Sequence, residues 1–294
     1  MMKPLLAGRV AIVTGSGRGL GRAHALALAR AGARVLVNDV DPQAAEEVRR
    51  EIERLGAEAA SSRASVQQPA EVQAMVEEAL ERWGQIDILV NNAGILRDRT
   101  FAKMDPEDFR LVLEVHLMGS VHCTRAVWPH MKDRGYGRII LTTSSSGLYG
   151  NFGQSAYSAA KMALVGLMQT LALEGARNNI RVNCLAPSAS TQMTHGLLAP
   201  EDLAALTVER VSPAVVALAS EAAPTRCILL AGAGSFKLAH VTMTQGIHLS
   251  DSQLTPEEVL AQWPKIADRE GELVPETGFE QYRFEVARAR ARGD

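Results

Sequence analysis

Tyr157 and Lys161 stand four residues apart in the run Tyr157-Ser158-Ala159-Ala160-Lys161. On a helix that spacing puts a phenol and an ammonium on one face, one turn from each other. A cation held beside a phenol favours the phenolate and draws its pKa down from about 10. A tyrosine tuned in this way can take or return the proton of an alcohol near neutral pH.

A second pattern suits a nucleotide. Gly15, Gly17, Gly19 and Gly21, with Arg18 and Leu20 among them, follow a short apolar run and open a helical pattern. Glycines there let the backbone turn tightly and approach a pyrophosphate, and the helix N-terminus adds N–H donors and a favourable dipole. Asp39 closes the second apolar run, 18 residues after Gly21. A carboxylate at that place accepts hydrogen bonds from ribose hydroxyls and repels a 2′-phosphate, which predicts NAD rather than NADP. Arg18 argues the other way, but Asp39 occupies the position a phosphate would need.

The elements around these residues alternate. Apolar runs at Val10–Val13, Val35–Val37, Ile86–Val90, Arg138–Leu141, Arg181–Leu185 and Cys227–Leu230, with a weaker one over 57–63, read as strands. Helical patterns follow the glycine loop to Ala31, run from Pro42 to Leu55, from Pro69 to Trp83, from Pro106 to Met131 and from Ala156 to Arg177. Strands that are apolar throughout belong to a parallel sheet covered on both faces. The pattern predicts a doubly wound α/β fold of the Rossmann type, a seven-stranded parallel sheet in one domain over 1–249. Residues 250–294, with helices from Thr255 and from Glu280, read as a helical extension.

Bulk composition narrows the function. The 294 residues carry a formal net charge of −2, with no basic excess to neutralise the phosphates of a nucleic acid. Cys123, Cys184 and Cys227 are far apart and match neither metal nor disulfide spacing; they read as small hydrophobes in a reducing compartment, and no metal is expected. No apolar run reaches the roughly 18 residues of a membrane helix, and the expected location is the cytoplasm.

Taken in order, Thr14-Gly15-x-x-x-Gly19-x-Gly21, Asn91-Asn92-Ala93-Gly94, Ser144 and Tyr157-x-x-x-Lys161 resemble the short-chain dehydrogenases/reductases over about residues 7–235. Ile95-Leu96-Arg97-Asp98-Arg99, the run from Ser146 to Gln154, Ala186-Pro187, Gly232-Ala233-Gly234 and Leu254-Thr255-Pro256-Glu257 are similar to a group within that family, the (3R)-hydroxyacyl-CoA dehydrogenase unit of peroxisomal multifunctional enzyme type 2.

The resemblance implies that Tyr157 exchanges the substrate proton and that Lys161 holds the nicotinamide ribose and keeps Tyr157 acidic. Ser144, thirteen residues before Tyr157, would stabilise the substrate oxygen. The neighbouring hydroxyls of Thr142, Thr143, Ser145 and Ser146 leave that choice open by one position. Further nucleotide contacts are implied at Ser65, Val66, Asn92, Ala93, Gly94 and Pro187, and a substrate lid at 187–205, with Met193, Leu197 and Leu198 as acyl-pocket candidates. Two positions depart from the family. His116 stands where relatives place a catalytic Asn and is expected to support a proton relay through its backbone carbonyl. Ala64 replaces an Asp that receives the adenine amino group.

The resulting expectation is an NAD-dependent oxidation of a 3-hydroxyacyl-CoA to the 3-ketoacyl-CoA. A hydroxysteroid dehydrogenase acting on a ring hydroxyl and a non-catalytic NAD-binding protein are the alternatives. Small apolar residues on the long helices (Ala159, Ala160, Ala163, Gly166) predict a homodimer or homotetramer.

Overall fold

The computed structural model describes residues 4–190 and 200–291. The chain forms two compact units, Met1–Leu238 and Ala239–Asp294. In the first, parallel strands β1 (Val10–Thr14), β2 (Arg34–Asn38), β3 (Ala59–Ser62), β4 (Ile88–Asn91), β5 (Gly137–Thr142), β6 (Ile180–Ser188) and β7 (Ile228–Gly232) pair in the order β3-β2-β1-β4-β5-β6-β7. Every residue of β1, β4 and β5 is buried, as strands covered on both faces must be. Helices α1 (Gly19–Arg30), α2 (Pro42–Arg54) and α3 (Pro69–Trp83) connect the first four strands. The main core joins Val13, Val35, Ile88, Ile140 and Leu185 of the sheet to Ala25 and Leu28 of α1.

An eighth strand, β8 (Ser235–Ala239), extends the sheet beyond β7, so the sheet is eight-stranded rather than seven-stranded. The turn between them places Ala233 and Gly234 at φ 50° and 78°. Positive φ at both central residues marks a two-residue hairpin whose twist suits antiparallel strands.

The helix expected from Pro106 to Met131 is interrupted. α4 (Pro106–Leu113), started by an Asp105 cap, passes into one π-helical turn at Glu114–Met118 before α5 (Gly119–Arg134). A short helix α6 (Ser145–Tyr149), absent from the sequence reading, precedes the long α7 (Ser155–Gly175). Residues Ser155–Asn178 are long and apolar enough to cross a bilayer by length and composition alone. Here α7 packs on β6 and buries Ala156, Ala160, Lys161, Leu164, Val165 and Met168, which is the behaviour of a core helix. Two further helices, α8 (Pro200–Ala205) and α9 (Ser212–Ala219), lead to β7, and Ala214, Val215 and Leu218 of α9 join the main core.

The second unit carries α10 (Pro256–Ala261), α11 (Trp263–Ile266) and α12 (Phe279–Ala291). Thr255 caps α10 by accepting from Glu258 N, and an isolated antiparallel bridge joins Met243 to Leu273.

Candidate active site

Strand order reverses between β1 and β4, and in doubly wound sheets the crevice beyond the carboxyl ends of the strands at that point is where ligands bind. The loops after β1, β4 and β5 open there. They carry the glycine loop, the Asn-Asn-Ala-Gly run and Ser144.

The glycine loop is braced from β4. Thr14 Oγ1 accepts from Asn92 N at 3.0 Å and from Ala93 N at 3.1 Å. Asn92 Nδ2 donates to Thr14 O at 3.0 Å and to Gly15 O at 2.9 Å. Gly15 has φ 60°, and a Cβ on it would lie 2.7 Å from Ala93 Cα. A Cβ on Gly21 would lie 2.1 Å from Gly15 O. Both positions therefore exclude larger residues. Asn92 and Ala93, expected at the nucleotide, are placed first of all as this brace. No side chain caps the N-terminus of α1 and no acidic residue lies in its first turn, which leaves its N–H donors to an anion.

Asp39 follows β2 and faces this loop, accepting from Gly17 N at 2.9 Å and from Asp41 N at 3.0 Å. Arg18, the residue that spoke for a 2′-phosphate, donates to Asp41 at 2.5 Å. Asp41 also caps α2, and the Ala44 backbone N–H, ahead of Arg18, holds its carboxyl below the usual range. At the end of β3, Asn38 Nδ2 donates to Ala64 O at 2.8 Å, Ser65 N donates to Glu71, and the Val66 carbonyl meets His122 Nδ1 at 2.9 Å. The Ala64 methyl is buried and brings no polar side-chain atom to the place where the resemblance leads us to expect a carboxylate.

Tyr157 and Lys161 share one face of α7, with Lys161 Nζ 5.5 Å from the centre of the phenol ring. The direction of their electrostatics differs from the expectation. Burial raises the Tyr157 phenol above its ordinary value; a hydrogen bond with Ser144 opposes this and the charge of Asp98 adds to it. Lys161 is the group that yields: burial lowers its pKa to about 7, with Cys184 acting against the shift. Its ammonium donates to Thr142 O at 2.5 Å.

That arrangement also separates the clustered hydroxyls. Thr143 Oγ1 donates to Lys161 O at 2.6 Å and is committed to α7. Ser144 Oγ caps α6 by accepting from Ser146 N at 3.1 Å and is the hydroxyl that works against the upward shift of the Tyr157 phenol.

His116 sits in the π-helical turn, buried, with its ring edge-on to Tyr157 at 5.2 Å. Its Nε2 lies 2.8 Å from Ile95 O and 3.0 Å from Ile95 N, bonding one or the other according to tautomer. Burial, followed by the charge of Lys161, lowers its pKa to about 3, so the ring is neutral. Nδ1 is buried with no partner among the described residues. The backbone carbonyl expected to serve a relay already accepts from Ser120 Oγ at 2.6 Å, although a carbonyl retains a second lone pair.

Pro187 lies on β6, opposite Ala231 of β7. The expected lid residues Thr191, Gln192, Met193, Thr194, Leu197 and Leu198 lie outside the described residues. Cys123 and Cys184 are buried, with thiols pushed up to about 12 by burial, whereas Cys227 is only partly covered. The sequence reading gave no role of their own to Asp98 and Gln154, and kept Thr143 only as a rival to Ser144. For Gln154 a signal existed, three residues before Tyr157 at the start of the helix.

A family model described as short chain dehydrogenase matches residues 9–202. Peroxisomal multifunctional enzyme type 2 of Mus musculus is 45% identical over 283 residues, 92% of this chain and 38% of that protein. Among solved structures, full-length peroxisomal multifunctional enzyme type 2 from Drosophila melanogaster matches with a TM-score of 0.83 at 38% identity, over 96% of this chain and 49% of that one. A 7α-hydroxysteroid dehydrogenase complexed with NADH and 7-oxo glycochenodeoxycholic acid matches with a TM-score of 0.74 at 32% identity, over 79% of this chain and 96% of that one. The chain thus spans less than half the length of these two multifunctional enzymes.

Proposed function

This chain belongs to the short-chain dehydrogenase family and is an oxidoreductase acting on CH–OH groups, and from that premise we propose that it oxidises the 3-hydroxyl of a (3R)-hydroxyacyl-CoA with NAD as hydride acceptor. The observation that carries the reading is the Ser144–Tyr157–Lys161 constellation at the switch-point crevice, in a chain similar along 92% of its length to a peroxisomal multifunctional enzyme type 2.

The residues fit a dinucleotide. The close-packed glycines and the uncapped α1 suit a pyrophosphate, and Asp39 beside Gly17 suits the ribose hydroxyls. Preference for NAD over NADP is supported by that carboxylate and by the pairing of Arg18 with Asp41. When bound, the nicotinamide accepts the hydride that leaves the carbinol carbon.

The chain's own residues handle the proton and the developing charge. Tyr157 takes the hydroxyl proton once it has given up its own, a loss that burial opposes. Ser144 donates a hydrogen bond to the substrate oxygen and steadies its charge as the C–O bond shortens. Lys161, with a pKa near the working pH, is the group that can share charge with the phenol. Neutral His116 packs against the ring without adding a second cation.

Similarity to the 7α-hydroxysteroid dehydrogenase supports a second reading, oxidation of a ring hydroxyl. Initial rates of NADH formation with (3R)- and (3S)-hydroxyacyl-CoA and with a hydroxysteroid, each with NAD and NADP, separate the two. Turnover of the (3R) thioester with NAD is expected; turnover of the steroid alone moves the function to the second reading.

A further inference from the structure

Two connections grip Tyr157, and both lead back to the segment that leaves β4. The first runs from Ile95 through His116 to the phenol ring. The second runs through Gln154, which precedes α7. Gln154 is 8% exposed, and its backbone carbonyl accepts from Ser158 N at 2.7 Å. Its amide is fixed at both ends: Nε2 donates to Asp98 at 2.7 Å, and Oε1 accepts from Asn151 Nδ2 at 3.0 Å. The backbones are joined as well, since Arg99 N donates to Gly153 O at 2.9 Å and Arg99 bridges Gln154.

We propose that the Asp98 carboxylate and Gln154 form a clasp that positions Tyr157 for proton transfer. Asp98 is a positioning residue in this account: it acts through Gln154 and through its field. The inference rests on Tyr157 being the acid–base group of the proposed reaction.

The physical argument begins with geometry. Tyr157 lies in the first turn of α7, where the helix has the fewest bonds of its own, so its placement depends on what holds the preceding residues. Without the clasp, the backbone link of Arg99 to Gly153 and Gln154 would be what ties residues 150–154 to the β4 loop among the described residues.

Charge comes second. The titratable groups facing Tyr157 are Lys161 on its own helix, His116 from the π-helical turn and Asp98 from the β4 loop, with the Ser144 hydroxyl beside them. His116 is neutral, so Asp98 and Lys161 are the opposed charges. Asp98 favours the protonated phenol and thereby raises the pH at which the base form appears. Arg97 does not cancel that charge, because it pairs with Asp108 at 3.3 Å.

Asp98→Asn and Asp98→Ala separate the two effects. Asparagine keeps an acceptor for Gln154 and removes the charge, whereas alanine removes both. Two readouts are taken. One is the alkaline phenolate absorbance of each protein minus that of its Tyr157→Phe counterpart, which needs no substrate. The other is the pH profile of kcat/KM for (3R)-hydroxyacyl-CoA oxidation, with NAD affinity measured alongside.

The clasp predicts that Asp98→Asn lowers the Tyr157 titration and the acid limb of the profile by roughly half a pH unit at low salt, less at high salt. It predicts that Asp98→Ala shifts both similarly and also lowers kcat about tenfold, from lost orientation, at unchanged NAD affinity. A titration unmoved by Asp98→Asn, or a kcat unmoved by Asp98→Ala, overturns the proposal. A shifted titration in a protein that oxidises no thioester keeps the clasp and refutes the proposed reaction. Thioester turnover with neither shift keeps the reaction and refutes the clasp.

Discussion

Whether Tyr157 or Lys161 gives way to burial decides how the site titrates. Spacing made the pair legible, because four residues is one helical turn whatever surrounds the helix. It could not show which side of the balance burial would take. Lys161 is 3% exposed and has no carboxylate beside it, so desolvation outweighs attraction and its pKa falls to about 7. The sequence left the neighbouring hydroxyls within one position of Ser144, and the bond from Thr143 Oγ1 to α7 commits one of those rivals elsewhere. Replacing Tyr157 with Phe should lower kcat by roughly 10²- to 10⁴-fold, while NAD affinity, read by fluorescence titration, stays unchanged. Asp39→Ser should cut the NAD/NADP ratio of kcat/KM at least about tenfold by removing the repulsion of a 2′-phosphate, as steady-state rates with both nucleotides would measure.

At the scale of elements, strands and capped helices were readable where a local rule is strong. The helices expected from Pro42 and from Pro106 begin there, and in the structure Asp41 and Asp105 cap them. The π-helical turn was not readable, since a single extra residue hardly disturbs a 3.6-residue pattern, yet it is what carries His116 to Tyr157. β8 escaped because its residues are mostly exposed and show no buried run, although Ala233-Gly234 was a usable turn signal. The brace between β1 and β4 is an element-level device in which the Thr14 hydroxyl takes two of the four bonds. Thr14→Val keeps the shape and strands the N–H groups of Asn92 and Ala93. It should cost about 1–3 kcal/mol in urea unfolding, with weakened NAD binding.

Over the whole molecule, buried bases set the response to acid. His24 is fully buried on α1 with Nδ1 3.0 Å from Ser212 Oγ, and burial lowers its pKa to about 3, as it does for His116. Between the folded value and the ordinary 6.5 the unfolded chain binds more protons, so this stability is present above pH 6.5 and is lost as pH falls toward 3. Each group contributes a slope of about 1.4 kcal/mol per pH unit in that window. The urea midpoint should therefore drop from pH 7 to pH 4, and His24→Leu should flatten the drop; an equal slope in the variant would contradict the assignment. The two units also differ in self-sufficiency. The main core lies wholly in the first, and no described residue beyond Ala231 is buried. A separate 239–294 fragment should melt without a cooperative transition, as circular dichroism would record. The central claim, hydride transfer from the 3-carbon of a (3R)-hydroxyacyl-CoA, is tested most directly with substrate deuterated at that carbon. Mass spectrometry of the nicotinamide after turnover should find one deuterium for each 3-ketoacyl-CoA formed, and none when the (3S) isomer is supplied. Ketone formed with unlabelled cofactor, or label arriving only from the (3S) substrate, would contradict the account.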